Sequence, residues 1–130
     1  MPSFSARSEL RLGSCDPRLQ EICHEAIKII DFSVIEGHRS EARQNDAYDA
    51  GRSKLKWPES KHNQVPSLAV DIVPYPVDWE QHSRFYVLAG VMFACAHKLG
   101  YKLRFGGDWD MDGEHTDQTF HDLPHFEIVD

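Results

Sequence analysis

The chain has 130 residues, 41% of them hydrophobic and 27% charged, with a formal net charge of −7 at pH 7. This is the size of one ordinary domain, spanning 1–130, that buries roughly two thirds of its unfolded surface without staples, and no apolar stretch approaches the roughly 18 residues of a membrane span. Acids and bases nearly balance over residues 1–100, at 13 against 12, whereas residues 101–130 carry eight acids against Lys102 and Arg104 alone, a surface that repels nucleic acid and reads equally as a cation site or a solvated acidic face.

The opening MPSFSARSELRLGSCD has no apolar run of the kind a secretory signal needs, so the expectation is synthesis in a cytoplasm without a signal peptide and without membrane insertion. Cys15, Cys23 and Cys95 are odd in number and form no CxxC pair, which predicts core thiols rather than a disulfide framework or a cysteine zinc site. Asp16 and Pro17 read as N-cap and first position of a helix whose Leu19, Ile22, Cys23, Ala26, Ile27 and Ile30 share one face. FSVIEG follows as a short strand. Ser40 caps a second helix through EARQNDAYDA, which Gly51 stops.

GRSKLKWPESKHNQVPS carries two prolines and no period, and reads as a long surface loop of the kind that often has a function. LAVDIVPY is a strand with Ala69, Asp71 and Val73 on one face and Leu68, Val70 and Ile72 on the other. The longest helix runs from about 83 to 99 and closes at Gly100, its core stripe formed by Phe85, Leu88, Ala89, Met92, Ala96 and Leu99. YKLRFG is another strand, GDWDMDGEHTDQT an acidic loop, and HFEIV a last strand. The elements interleave without a βαβ rhythm, predicting an α+β fold with helices over a small, largely antiparallel sheet, and a monomer is expected.

Three positions look unlike plain structure: His62 in the long loop, Asp71 inside an apolar strand and His125 at the start of the last one. Two imidazoles and a carboxylate are a usual ligand set for a catalytic zinc. With eight histidines in the chain, residue types alone do not single out this set.

The surrounding motifs do more. SKHNQVPSLAVD followed by DLPHFEIV resembles the zinc D-alanyl-D-alanine carboxypeptidase and L-alanyl-D-glutamate endopeptidase family, which shares the hedgehog/DD-peptidase fold. Its Ser-x-His, Ala-x-Asp and acid-x-x-His motifs fall on Ser60 and His62, on Ala69 and Asp71, and on Asp122 and His125. EGHRSEARQ resembles its Gly-x-Arg-Ser segment with a following Gln, matching Arg39 and Gln44, and LRFGGDWD is similar to its Gly-Gly-Asp-Trp stretch. The likeness runs from about residue 30 to the end. Two features depart from the pattern: His62 and Asp71 stand nine apart where seven is usual, and Ser67 occupies the region of a usual glycine. A loop absorbs two residues without moving its ends, so the expectation is that the ligand set survives.

The resemblance implies a Zn²⁺ held by His62, Asp71 and His125, with Asp122 as general base, Arg39 stabilising the oxygen that gains charge, and Ser60 and Gln44 orienting the substrate or the loop. The implied substrate is an amide of the bacterial peptidoglycan stem peptide. The favoured form is an L-alanyl-D-glutamate endopeptidase acting as a bacteriophage endolysin, reaching the wall once the membrane is permeabilised. The alternatives are a D-alanyl-D-alanine carboxypeptidase and a non-catalytic zinc-bearing wall-binding module. Asp108 and Trp109 are expected to support the site wall.

Several residues compete for parts. His121 adjoins Asp122, but alternation along HFEIV favours His125 as ligand. Glu127 reads as facing solvent, the alternative being a bond that supports a ligand. His24, His38, His82, His97 and His115 match no motif and read as structural or exposed. Asp108, Asp110, Asp112 and Gly113 imitate the start of an EF-hand, but Thr119 stands where its bidentate glutamate belongs, leaving at most weak Ca²⁺ binding by the loop at 108–117.

Overall fold

Asp16 accepts a hydrogen bond from the Arg18 backbone N–H and Pro17 takes the first position of its helix, as the sequence predicts. The structure, a computed structural model, describes residues 2–108, 111 and 122–130. In chain order it forms α1 (Ala6–Leu12), α2 (Pro17–Ala26), β1 (Phe32–Glu36), α3 (Glu41–Asp49), a 3-10 turn (Lys61–Asn63), β2 (Ala69–Pro74), α4 (His82–Leu99), β3 (Leu103–Phe105) and β4 (His125–Ile128). The four strands make one sheet in the order β1-β2-β4-β3, and every pairing is antiparallel.

Helix α1 is an addition to the predicted elements. Its seven residues carry too few apolar positions to show a period, but Ser5 caps it and Leu12 is buried. It is tied to β1 by the Ser8 hydroxyl, which accepts from Val34 N–H, and by Arg11, which donates to the Val34 carbonyl. The next helix ends at Ala26, one turn earlier than its apolar face suggests.

Strand β2 is buried along its whole length, which explains its nearly unbroken apolar character. Val70 and Ile72 join the main core with Leu19 and Ile22 of α2 and Leu88 and Met92 of α4. Each such side chain contributes about 1.5–3 kcal/mol through burial. Cys15, Cys23 and Cys95 are buried free thiols, as expected, and burial pushes Cys15 up to about 12. The opposite face of β2 holds Ala69, Asp71 and Val73, so its one acid points away from the apolar core.

Register places the chemistry. Asp71 lies directly across from His125 in the β2–β4 pair, and a bulge between Val34 and Glu36 sets Glu36 across from Asp71 in the β1–β2 pair. Three polar residues from three strands are thereby gathered at one end of the sheet.

Candidate metal centre and active site

His62 reaches the sheet from the long loop, and the local sequence explains how. Ser60 caps the 3-10 turn by accepting from the His62 N–H, while the Asn63 side chain accepts from the Ser60 N–H, a reciprocal capping box. The loop closes where the Leu68 N–H donates to the Lys61 carbonyl, and Ser67 is bonded to Ser14 and Asp16. Residues 64–66 stand exposed between these anchors, so the nine-residue spacing is accommodated without freeing the ends of the loop.

The segment after β1 completes the clamp. The Gly37 carbonyl lies 2.7 Å from His62 Nδ1, and the Arg39 N–H donates to the His62 carbonyl at 2.7 Å. A Cβ on Gly37 would overlap the Arg11 carbonyl and the Ser14 hydroxyl, which is why glycine stands there. One short segment therefore both holds His62 and delivers Arg39.

His62, Asp71 and His125 are all buried, and one ligand atom from each lies within 4.8 Å of the others, the sole such group of three among the described residues. His62 Nε2 is 3.1 Å and His125 Nδ1 3.3 Å from Asp71 Oδ1. A carbonyl can only accept, so His62 Nδ1 carries a proton toward Gly37 and leaves Nε2 for a metal. His125 Nε2 lies 2.8 Å from Glu127 and donates to that carboxylate, leaving Nδ1 for a metal. Both tautomers are thus set by partners behind the rings, the arrangement expected of metal-ligating histidines. The donor set fits a divalent metal, with three protein ligands and room for a fourth.

Glu127 corrects a sequence expectation. It is 4% exposed and does not face solvent. Arg104 lies across from it in the β3–β4 pair and donates to it at 2.8 Å, while its other oxygen holds His125. Burial pushes the Glu127 carboxyl up, but the bonds from His125 and Arg104 outweigh it and bring it down to about 2.

The electrostatics follow the same pattern. Burial alone would raise Asp71, yet His62 and His125 outweigh it and hold the carboxyl well below its usual range. Burial alone would lower His125, but its bonds to Asp71 and Glu127 push it up to about 9. A metal must displace that proton, so affinity for a divalent metal is expected to fall about tenfold per pH unit as pH drops below about 9. Chelator competition across pH 6–9 measures this, and a flat profile would contradict it. The raised pKa also implies that His125 stabilises the metal-free fold below its unfolded value of 6.5 and loses that contribution as pH rises through about 9.

Asp122 lies beside the group, its Oδ2 3.9 Å from His125 Nδ1, with its side chain 28% exposed. Burial and then the charge of Asp71 push its carboxyl up to about 6, against the opposing pull of His125, His62 and Arg39. Its backbone is fixed by Gly106, whose carbonyl accepts from the Asp122 N–H at 2.9 Å and whose N–H donates to the His125 carbonyl at 2.8 Å. A Cβ on Gly106 would overlap the Asp122 carbonyl, so the Gly-Gly-Asp stretch earns its glycine by letting this turn close. Asp108 pairs through its backbone with Phe105. Trp109, His115 and His121 lie outside the described residues, as does most of the acidic loop at 108–117, including Asp110, Asp112 and Gly113, and so does Thr119.

Arg39 is held on three sides. Nε donates to Glu36 at 2.7 Å, one terminal nitrogen to Gln44 at 3.0 Å and the other to Asp71 at 3.5 Å. Glu36 is also bridged by Arg43. Gln44 is fully buried: its carbonyl oxygen accepts from Arg39 and Asn63, and its amide donates to the Ser53 hydroxyl and the Leu55 carbonyl. Gln44 thus links α3, Arg39 and the long loop, and Ser60, 5% exposed, caps the turn that carries His62. The structure gives both residues bonds to the loop.

Comparison with known proteins points to one peptidase family. Residues 2–129 match the family model described as phage L-alanyl-D-glutamate peptidase. The L-alanyl-D-glutamate peptidase of Escherichia phage T5 is 31% identical over 134 residues, covering 97% of each chain. The crystal structure of the Serratia marcescens L-Ala D-Glu endopeptidase ChiX superposes with a TM-score of 0.78 at 30% identity, over 98% of this chain and 91% of that one.

Proposed function

Because the chain belongs to the phage L-alanyl-D-glutamate peptidase family, we propose that it hydrolyses the L-alanyl-D-glutamate amide of the bacterial cell-wall stem peptide through a Zn²⁺ held by His62, Asp71 and His125. The observation that carries the zinc reading is the buried pair of imidazoles that each turn one ring nitrogen toward the same carboxylate. When bound there, zinc supplies a Lewis acid that lowers the pKa of a water to about 7.

The chain's own residues do the rest. Asp122, partly open to the cleft, takes a proton from the attacking water and returns it to the departing amine. A base poised near 6 is ionised at neutral pH yet still basic enough to hold a proton briefly. Arg39, fixed by Glu36 and Gln44, offers its guanidinium to the carbonyl oxygen as it gains negative charge. Ser60 and Gln44 act as positioning residues through the loop and Arg39.

Two clefts meet at the site, with Arg39 and Asp122 lining both, so a peptide can continue on either side of the scissile bond. A carboxypeptidase needs room on one side only, and this favours the endopeptidase. The same proposal has this catalytic domain acting on the wall once the membrane is permeabilised. Among the described residues no helix is long and apolar enough to cross a membrane. Mass spectrometry of digested peptidoglycan tests the bond cleaved: scission at alanyl-glutamate is expected, and loss of a single terminal alanine would point to the carboxypeptidase instead.

A further inference from the structure

We infer that the cleft beside Lys61 receives the glutamyl side of the scissile amide and that Lys61 is a specificity-determining residue for its free carboxylate, an inference that rests on the endopeptidase reading above. A glutamyl residue joined onward through one carboxyl keeps the other, which is ionised at neutral pH. The half of the substrate released as the amine is therefore anionic beside the reacting bond.

The two clefts differ in charge. One, of about 350 Å³, falls in the range of small-ligand sites and opens onto His62, His125 and Asp122. Besides the residues it shares with its neighbour, its walls bring Lys54, Lys61 and Arg104 against Glu59 and Glu127, and Glu127 is committed to Arg104 and His125. The neighbouring cleft brings Glu36, Asp46 and Asp71 against Arg43, which is paired with Glu36, and adds the exposed ring of Trp79 stacked on Phe85. An anion is favoured in the first cleft and repelled from the second.

Lys61 is the best-placed cation in the first. It immediately precedes His62 in the capped 3-10 turn, its carbonyl is pinned by Leu68, and its side chain, half-buried, makes no ion pair with a described residue. Its backbone is thus anchored one residue from the proposed ligand, and its side chain lines the cleft within reach of a substrate carboxylate. The substrate then runs with its alanyl side toward Trp79 and its glutamyl side toward Lys61.

The test uses two N-capped peptides containing the alanyl-glutamyl bond and extended through the same carboxyl, one with the remaining carboxyl free and one with it as a primary amide. The zinc-loaded wild-type protein is expected to cleave the acid about tenfold better in kcat/KM, the size of one charge-assisted hydrogen bond. Lys61→Met should bring that ratio toward one and Lys61→Arg restore most of it. Equal cleavage of both peptides by the wild type, or a ratio unchanged in Lys61→Met, would overturn the inference while leaving the endopeptidase reading intact. Cleavage of neither peptide would sink that reading and this inference with it.

Discussion

Asp122→Ala is expected to lower turnover of the stem-peptide amide by about 100- to 10,000-fold, the usual contribution of a positioned acid–base group, while one metal ion per chain is retained. The separation of the two effects follows from geometry. Asp122 is 3.9 Å from His125, too far for a strong hydrogen bond, whereas His125 is oriented by Glu127 at 2.8 Å and by its place opposite Asp71. Removing Asp122 leaves those bonds in place. Asp122→Asn is the stricter version, since it keeps the shape of the side chain and removes only its capacity to take a proton. Metal analysis beside a peptidoglycan-release assay reads both quantities, and near-normal turnover in either variant would remove Asp122 from the mechanism. The wild-type rate should fall as pH drops through about 6, because the carboxyl is protonated below its raised pKa.

Asp71→Ala should have a larger and different effect, with metal content falling to background after dialysis, hydrolysis lost with it, and the metal-free protein itself destabilised. The carboxylate is the shared partner of His62, His125 and Arg39, all with little exposed side chain. Breaking a buried ion pair by removing one partner costs about 3–5 kcal/mol. The cost should fall near the lower end, because His125 loses a bond that raises its pKa and can discharge by giving up its proton. For a chain of this length that corresponds to a fall in Tm of roughly 10 °C. Thermal unfolding of wild type and variant, both with chelator present, isolates this from the loss of metal. An unchanged Tm would mean that Arg39, His62 and His125 do not depend on Asp71, and retained stoichiometric metal would remove it from the ligand set.

Much of the fold was legible in residue order because the signals were local. Asp16-Pro17 and Ser40 mark helix starts through caps that the structure contains, and Gly100 ends α4 in the left-handed conformation that favours glycine. The alternation of β2 separates Asp71 from Val70 and Ile72, and this holds in the buried strand. Helix α1 carries no periodic signal in the sequence, because seven residues with two leucines have no measurable period and the helix is supported mainly by contacts with β1. Glu127 departs from its sequence expectation because a lone charged residue in a strand ordinarily faces water. Its burial depends on Arg104, a residue 23 positions earlier that only the β3–β4 register brings opposite.

The residue types and their order determined the chemistry: imidazoles at 62 and 125, carboxylates at 71 and 122 and a guanidinium at 39, set in motifs specific enough to indicate the family. How those groups meet depends on the folded chain. Pairing of Asp71 with His125 is a matter of strand register, the choice of ring nitrogen is made by Gly37 and Glu127, and Arg39, in the segment between β1 and α3, is aimed by Glu36, by Gln44 of α3 and by Asp71 of β2. The division has a physical reason: caps, turns and periodicity act over a few residues, whereas a buried charge is tolerable only when distant partners neutralise it, and folding alone supplies those partners.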